Sequence, residues 1–125
     1  MVTKVRLDID VRPWGSYYVS DKGTGYLVKQ LKVKPESRTS LQYHNHRDEV
    51  WVVVHGSGIA WHTAEDGTLN KDIIQYGDTI KVFANFPHRI ENISETEDLI
   101  LVEVQLGIYL YEEDIIRVQD DYGRV

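Results

Sequence analysis

The sequence contains no cysteine, no long hydrophobic run and no excess of basic residues. Without cysteine the chain can form neither a disulfide nor a thiolate zinc site, and it has no cysteine nucleophile. No window approaches the ~18 apolar residues of a membrane-spanning segment, and residues 1–10 lack the continuous apolar stretch of a secretion signal. These absences predict a cytoplasmic protein.

The charge balance argues against nucleic acid and anionic membrane surfaces as the main partner. The 14 Lys and Arg residues are outnumbered by 20 Asp and Glu residues, and the formal net charge is −6. Because binding to nucleic acid or to an anionic membrane surface depends on clustered Lys and Arg, we expect neither as the main partner. A local group of basic residues can still bind one small phosphate.

The chain also has no segment that would divide it. Its 125 residues contain no Ser/Gly/Pro-rich linker, no low-complexity run and no repeat of fixed period. This length is enough to enclose one hydrophobic core. We therefore predict a single domain over residues 1–125.

Hydrophobic residues occur in short, nearly alternating runs bounded by Gly, Pro or Asp, the pattern of β-strands. The runs lie at residues 25–35, 49–64, 78–83, 88–93 and 98–107. Gly-Ser-Gly at 56–58 indicates a hairpin within the second run. Only residues 112–123 permit a helical turn or two. Many short, closely spaced strands predict an all-β sandwich or small barrel.

Polar residues interrupt this pattern in the segment SLQYHNHRDEVWVVVHG, residues 40–56. Side chains two positions apart share one face of a strand, so Gln42, His44 and His46 are expected to point the same way. A tight connection to the next strand would bring Glu49 beside His44. A lone inward histidine is more often an ordinary hydrogen-bonded residue, but imidazole, carboxylate and amide oxygen together suit Zn²⁺ or a similar divalent ion.

Residues 36–56 resemble the first motif of the cupin family, Gly-x5-His-x-His-x4-Glu-x6-Gly. In this chain Glu36 takes the place of the first Gly, and Gln42 takes the place of the first His. The resemblance implies a jelly-roll barrel, the cupin double-stranded β-helix, with a metal site inside it.

Residues 77–92 resemble the second cupin motif, Gly-x5-Pro-x-Gly-x2-His-x3-Asn. Here Phe83 and Asn85 replace Pro and Gly, while His88 and Asn92 keep their places. Asparagine tolerates a left-handed turn, so the loop of the motif is still expected to form. His88 is then the ligand supplied from a distant strand.

The glutamine at the first ligand position resembles the phosphomannose isomerases, whose metal is held by Gln, His, Glu and His. The segments RPWGSYYV (12–19) and VQLGIYLYEEDIIRVQDDYGR (104–124) resemble the cupin domain that follows a guanylyltransferase domain in type II members. The resemblance implies that a divalent ion is bound by Gln42, His44, Glu49 and His88. Zinc is the first candidate for this ion, with manganese, nickel, cobalt and iron as alternatives.

The same resemblance implies an activity: the interconversion of mannose 6-phosphate and fructose 6-phosphate. His46 is the candidate base, with a solvated turn histidine as the alternative. Arg117 is the candidate catalytic and phosphate-binding residue and Arg124 a second phosphate-binding residue, unless they form ion pairs with Asp120 and Asp121. Since the sequence has no Gly-rich, Arg-containing nucleotide loop, synthesis of a nucleotide sugar is not expected.

Other functions stay open at this point. The chain can be a non-catalytic cupin that binds a sugar or other small ligand with its metal, a degenerate cupin with an empty polar cavity, or an isomerase or epimerase of another sugar. A cupin dioxygenase is less favoured, because it would use iron with more histidine ligands. Residues 2–11 alternate as a strand that could pair with a second subunit, so we expect a homodimer.

Overall fold

The computed structural model describes residues 8–125, and these residues contain strands and no helix. The strands are β1 Asp10–Arg12, β2 Gly15–Gly23, β3 Tyr26–Val33, β4 Ser37–Arg38, β5 Leu41–Tyr43, β6 Asp48–His55, β7 Ser57–Thr63, β8 Leu69–Gln75, β9 Thr79–Val82, β10 Arg89–Asn92, β11 Leu99–Leu106 and β12 Ile116–Gln119. The all-β prediction is confirmed, and every predicted hydrophobic run contains a strand. No helix long and apolar enough to span a membrane occurs in this part of the chain.

The helical turn considered for residues 112–123 is wrong, because this segment contains β12, which pairs with β5. The predicted N-terminal strand lies mostly outside the described residues. Its last part is β1, which pairs with β2 at the edge of a sheet. The prediction of one domain over residues 1–125 likewise includes residues 1–7, which the structure does not describe.

Two large antiparallel sheets enclose the core. The six-stranded sheet has the order β1-β2-β3-β11-β6-β9, the four-stranded sheet has the order β4-β10-β7-β8, and β12 and β5 form a separate pair. Both large sheets contribute to one buried hydrophobic cluster: Trp51, Val53, Leu99 and Leu101 come from the first, and Ala60, Ile74 and Ile90 come from the second. Burial of this apolar surface between the sheets is the main stabilising contribution to the fold.

The predicted hairpin at 56–58 is wrong, because the two strands that flank these residues belong to different sheets. β6 pairs with β11 and β9, whereas β7 pairs with β10 and β8. The chain therefore passes from one sheet to the other at Gly56. The backbone there has φ 79°, and a Cβ atom would lie 2.5 Å from the Asp98 carbonyl oxygen, so both conformation and space favour glycine.

The inner face of the six-stranded sheet changes from apolar to polar along its strands. At one end Leu99 is paired with Val33, and Leu101 is the cross-strand neighbour of Leu31 and Val53. Two and four residues further along β11, the inward positions are polar: Glu103 lies between Lys29 and Trp51, and Gln105 lies opposite Glu49. The apolar end supplies the core and the polar end supplies the wall of a cavity.

Candidate metal centre

Three of the four predicted ligands meet inside the barrel. His44 follows β5, Glu49 lies in β6 and His88 precedes β10, and their ligand atoms all lie within 4.8 Å of one another. Nε2 of His44 lies 3.3 Å from Oε2 of Glu49, and Nε2 of His88 lies 3.6 Å from Oε1 of the same carboxylate. All three side chains are buried. The sequence prediction that Glu49 lies beside His44 is confirmed, although β5 and β6 do not pair.

Gln42, the fourth predicted ligand, lies at the edge of this cluster. Its Nε2 is 3.4 Å from Nε2 of His44, and its Oε1 accepts a hydrogen bond from the Ser40 hydroxyl at 2.6 Å. A half-turn of the amide would present Oε1 to the cluster and Nε2 to the hydroxyl, which can accept as well as donate. Two backbone hydrogen bonds between Gln42 and His88 hold the two residues side by side.

Hydrogen bonds on the far side of each ring orient the histidines. Nδ1 of His44 donates to the Asp114 carbonyl oxygen at 2.5 Å, so the lone pair of Nε2 faces the cluster. Nδ1 of His88 lies 3.3 Å from the Phe86 carbonyl oxygen. Nε2 of His88 is buried and has no hydrogen-bond partner among residues 8–125. A buried nitrogen left unpaired beside a carboxylate is costly unless a further group satisfies it, so the donor set fits a divalent ion.

The Glu49 carboxylate is held by two donors that the sequence analysis did not identify. It accepts hydrogen bonds from Nε of Arg47 at 2.9 Å and from Nε1 of Trp51 at 3.1 Å. Nη2 of Arg47 also lies 3.3 Å from Nε2 of His44. An ion that used the His44 lone pair would replace this last contact.

Protonation in the cluster suits a cation. Burial, and then the charge of Arg47, lower the pKa of His44 to about 4. Burial also lowers the pKa of His88 to about 4. Both rings are therefore neutral at pH 7, the form that coordinates a metal. Burial favours the neutral acid at Glu49, but His88 in its protonated form and the permanently charged Arg47 lower the pKa of this carboxyl.

Glu103 is a second buried carboxyl in the same cavity, and neither sequence motif includes it. It is 5% exposed and accepts a hydrogen bond from Nε2 of Gln105 at 2.9 Å. Burial and the neighbouring Glu49 carboxylate raise the pKa of Glu103. The two carboxyls thus lie in one cavity with their pKa values displaced in opposite directions.

Both predicted phosphate-binding arginines reach this cavity. Arg117 lies directly opposite Gln42 in the β5–β12 pair, and its Nε is buried without a hydrogen-bond partner in the described chain. Arg124 forms a two-point ion pair with Asp120, at 2.9 Å from Nε and 2.8 Å from Nη2. Asp121 pairs with Arg38 instead. The alternative of a structural ion pair is therefore realised at Arg124 and not at Arg117.

His46 does not reach the cavity. The residue is exposed, and its ring packs edge-on against Tyr109 with the centroids 5.0 Å apart. The expected shared face with His44 is wrong, because β5 ends at Tyr43 and the alternation of a strand is lost beyond it. This position does not support the predicted role of His46 as the base.

Two of the residues that differ from the cupin motifs adopt a backbone conformation that is unfavourable for residues other than glycine. Glu36 and Asn85, which replace motif glycines, have φ values of 54° and 70°, and they are the non-glycine residues with positive φ among residues 8–125. The loop nevertheless forms, and the Asn85 amide donates to the His44 carbonyl oxygen at 2.6 Å. The backbone next to the centre therefore keeps the conformation that glycine usually provides.

Comparison with known proteins agrees with this geometry. Residues 3–120 match the family described as "Mannose-6-phosphate isomerase C-terminal". The chain belongs to this family. Xanthan biosynthesis protein XanB of Xanthomonas campestris pv. campestris (strain B100) is 42% identical over 113 residues, which cover 90% of this chain and 23% of that protein. Mannose-1-phosphate guanylyltransferase of Escherichia coli (strain K12) is 40% identical over 116 residues, which cover 91% of this chain and 23% of that protein.

The chain thus spans less than a quarter of the length of these two relatives. Solved structures show the same fold. The capsular polysaccharide assembling protein CapF from Staphylococcus aureus superposes with a TM-score of 0.80 at 17% identity, covering 94% of this chain and 35% of CapF. Oxalate decarboxylase from Bacillus subtilis gives a TM-score of 0.79 at 16% identity, covering 90% of this chain and 30% of that chain. These similarities show a cupin jelly roll and say nothing of the reaction.

Proposed function

We propose that this chain is a metal-dependent isomerase domain that interconverts mannose 6-phosphate and fructose 6-phosphate. The observation that carries the proposal is the convergence of His44, Glu49 and His88 in a cavity that also contains the guanidinium of Arg117. An aldose–ketose isomerase needs a site for two neighbouring oxygens and a separate site for the phosphate. Membership of the mannose-6-phosphate isomerase C-terminal family supports the same choice of substrate.

The ion would be held by His44, Glu49, His88 and the Gln42 amide oxygen. When bound, a divalent ion would polarise the carbonyl and hydroxyl oxygens of the open-chain sugar. Zinc is the first choice for this nitrogen and oxygen donor set, and manganese, nickel, cobalt and iron are alternatives. Arg47 and Trp51 keep the Glu49 carboxylate in place by donating to its two oxygens.

The remaining step is the transfer of a proton between the two carbons next to these oxygens. Among the carboxyls that line the cavity, Glu103 is paired with no arginine or lysine, while Glu49 is paired with Arg47 and Glu112 with Lys29. We therefore place Glu103 in the role first considered for His46. A carboxylate oxygen of Glu103 would accept the proton from one carbon and return it to the other.

A second candidate is a non-catalytic cupin that binds a sugar. One observation favours it: Arg47 contacts the His44 lone pair that an ion would use. The cavity volume of ≈ 70 Å³ is small for a hexose phosphate, but it bears on both candidates alike. In the isomerase a hexose phosphate would have to extend through the mouth of the cavity. The two candidates differ in turnover, not in binding.

The test is a coupled assay of both directions with metal-loaded protein and His44→Ala as the inactive control. Turnover of mannose 6-phosphate or fructose 6-phosphate well above the control supports the isomerase. Turnover no higher than the control, together with sugar binding by calorimetry, supports the second candidate. A panel of other sugar phosphates in the same assay would reveal a different isomerase or epimerase. The homodimer and the cytoplasmic location stay predictions.

A further inference from the structure

Five basic side chains line the cavity, and they differ in how their charge is balanced. Three are paired with carboxylates: Lys29 with Glu112, Arg47 with Glu49, and Arg124 with Asp120. The other two, Arg12 and Arg117, form no ion pair with any carboxylate of residues 8–125. Two guanidinium groups without a carboxylate partner give the cavity a local positive potential, which favours the binding of an anion.

Arg117 has spare hydrogen-bonding capacity inside the protein. Its Nε is buried and unpaired among the described residues. Burial, followed by the charges of neighbouring Arg124 and Arg12, lowers the pKa of the Arg117 guanidinium. An arginine does not lose its proton at neutral pH. The residue is half-buried, so a negative charge that arrives from solution would compensate the water that its guanidinium has lost.

Arg12 comes from β1, far from Arg117 in the sequence, and it is held in place by its own contacts. Nη2 donates to the Tyr17 hydroxyl at 3.1 Å, and Nη1 donates to the Val11 carbonyl oxygen at 3.2 Å. The guanidinium also lies over the Tyr17 ring, 5.2 Å from its centroid. Of the five N–H groups of an arginine, these bonds use two, and the rest can serve a ligand.

We propose that Arg12 and Arg117 together form a subsite for a phosphate monoester dianion. The planar fork of each guanidinium suits bidentate hydrogen bonds to phosphate oxygens. The Arg124–Asp120 pair forms a fixed wall of this subsite, because its own charges are already matched. The proposal rests on the isomerase function, for which it supplies the group that distinguishes a sugar phosphate from a free sugar.

Calorimetry with inorganic phosphate tests the subsite. The protein is first freed of metal by a chelator, since phosphate would otherwise bind the ion itself. Wild type is compared with Arg12→Gln, Arg117→Gln and the double variant, and Arg38→Gln serves as the control because Arg38 is paired with Asp121 away from the cavity. Loss of one charge-assisted contact is expected to weaken phosphate binding about tenfold, and the control is expected to bind as wild type.

Lysine variants at positions 12 and 117 distinguish a loss of phosphate binding from a loss of folding. They keep the charge but not the fork, so we expect intermediate affinity with an unchanged circular dichroism spectrum. Phosphate binding by Arg12→Gln and Arg117→Gln equal to that of wild type overturns the subsite, as does equal loss in Arg38→Gln.

Phosphate binding and turnover together distinguish a failure of the subsite from a failure of the proposed isomerase function. If the variants lose phosphate binding but wild type shows no turnover, the subsite stands and the isomerase is wrong. If wild type turns over mannose 6-phosphate and KM is unchanged in both glutamine variants, the isomerase stands and the subsite is wrong. If both hold, KM for mannose 6-phosphate rises in the variants.

Discussion

Nε2 of His88 lies 3.6 Å from Oε1 of Glu49, and this buried nitrogen has no hydrogen-bond partner in the described part of the chain. Trp51 donates to the same carboxylate oxygen, and its ring packs edge-on against His88 with the centroids 5.4 Å apart. The histidine and the carboxylate are thus fixed by one tryptophan, with the imidazole lone pair left unused. This geometry leads to the first prediction.

We expect one divalent ion per chain, measured by elemental analysis after dialysis against zinc. His44→Ala and His88→Ala each remove a ligand and should lose the ion. His62→Ala is the matched control, because the His62 ring is bonded to Asp72 across the β7–β8 pair. Full metal content in both cluster variants would show that the centre is assigned to the wrong residues.

The stability of the metal-free protein should decrease on acidification. The pKa values of His44 and His88 are lowered to about 4 by burial, from 6.5. Between these values the unfolded chain binds more protons than the folded one, so stability is full above pH 6.5 and is lost as the pH falls towards 4. Each histidine contributes on the order of 3 kcal/mol at most.

Thermal unfolding at a series of pH values measures this loss. The sequence alone places the protonation of these ligands near an ordinary histidine pKa of about 6.5; the buried cluster moves it to lower pH. Midpoint temperatures that stay constant from pH 6.5 to 4 would contradict the assigned burial.

Glu36→Gly should stabilise the protein. Glu36 has φ 54°, where a side chain is strained, and glycine removes a cost of about 1 kcal/mol. Asn85→Gly should gain less, since asparagine tolerates this region. Urea unfolding gives the free energies, and Glu36→Ala, which keeps the Cβ atom, should show no comparable gain. An equal gain in the alanine variant would mean that the side chain, not the backbone, is the source.

Glu103→Gln should reduce kcat while the ion stays bound. The substitution keeps the shape of the side chain but removes the group that carries the proton, a loss on the order of 10²–10⁴ for a general base. Metal content should match wild type, because Glu103 is not a ligand in the proposed centre. Glu97→Gln, an exposed control, should keep full activity. Unchanged kcat in Glu103→Gln would remove this residue from the mechanism.

A homodimer should form through the edge strand β1. This strand is the last of the six-stranded sheet, and Ile9 and Val11 beside and within it are 61% and 77% exposed. Replacing both by Lys should shift the mass measured by light scattering from dimer to monomer. Ile73→Lys is the control, since Ile73 is as exposed but lies on β8. A monomeric wild type at micromolar concentration would contradict this prediction.

The sequence determined the all-β class, which follows from local rules, and it indicated the residues of the candidate metal centre through their resemblance to the cupin motifs. Strand alternation and turn chemistry act over a few residues and can therefore be recognised along the chain, whereas His44, Glu49 and His88 were indicated by a family resemblance. The same locality explains the successful expectation at Asn85, where a residue that tolerates positive φ replaces glycine.

Only the tertiary structure decided which face of each strand turned inward and which distant residues met. In β11 the outward positions Ile100, Val102 and Val104 are all apolar, while the inward face carries Glu103, so alternation alone would favour the opposite orientation. The orientation follows from pairing with β3 and β6, whose inward faces form the same cavity. Arg12 and Arg117 lie at opposite ends of the chain and share that cavity because long-range strand pairing brings them there, and no local pattern in the sequence records such pairing.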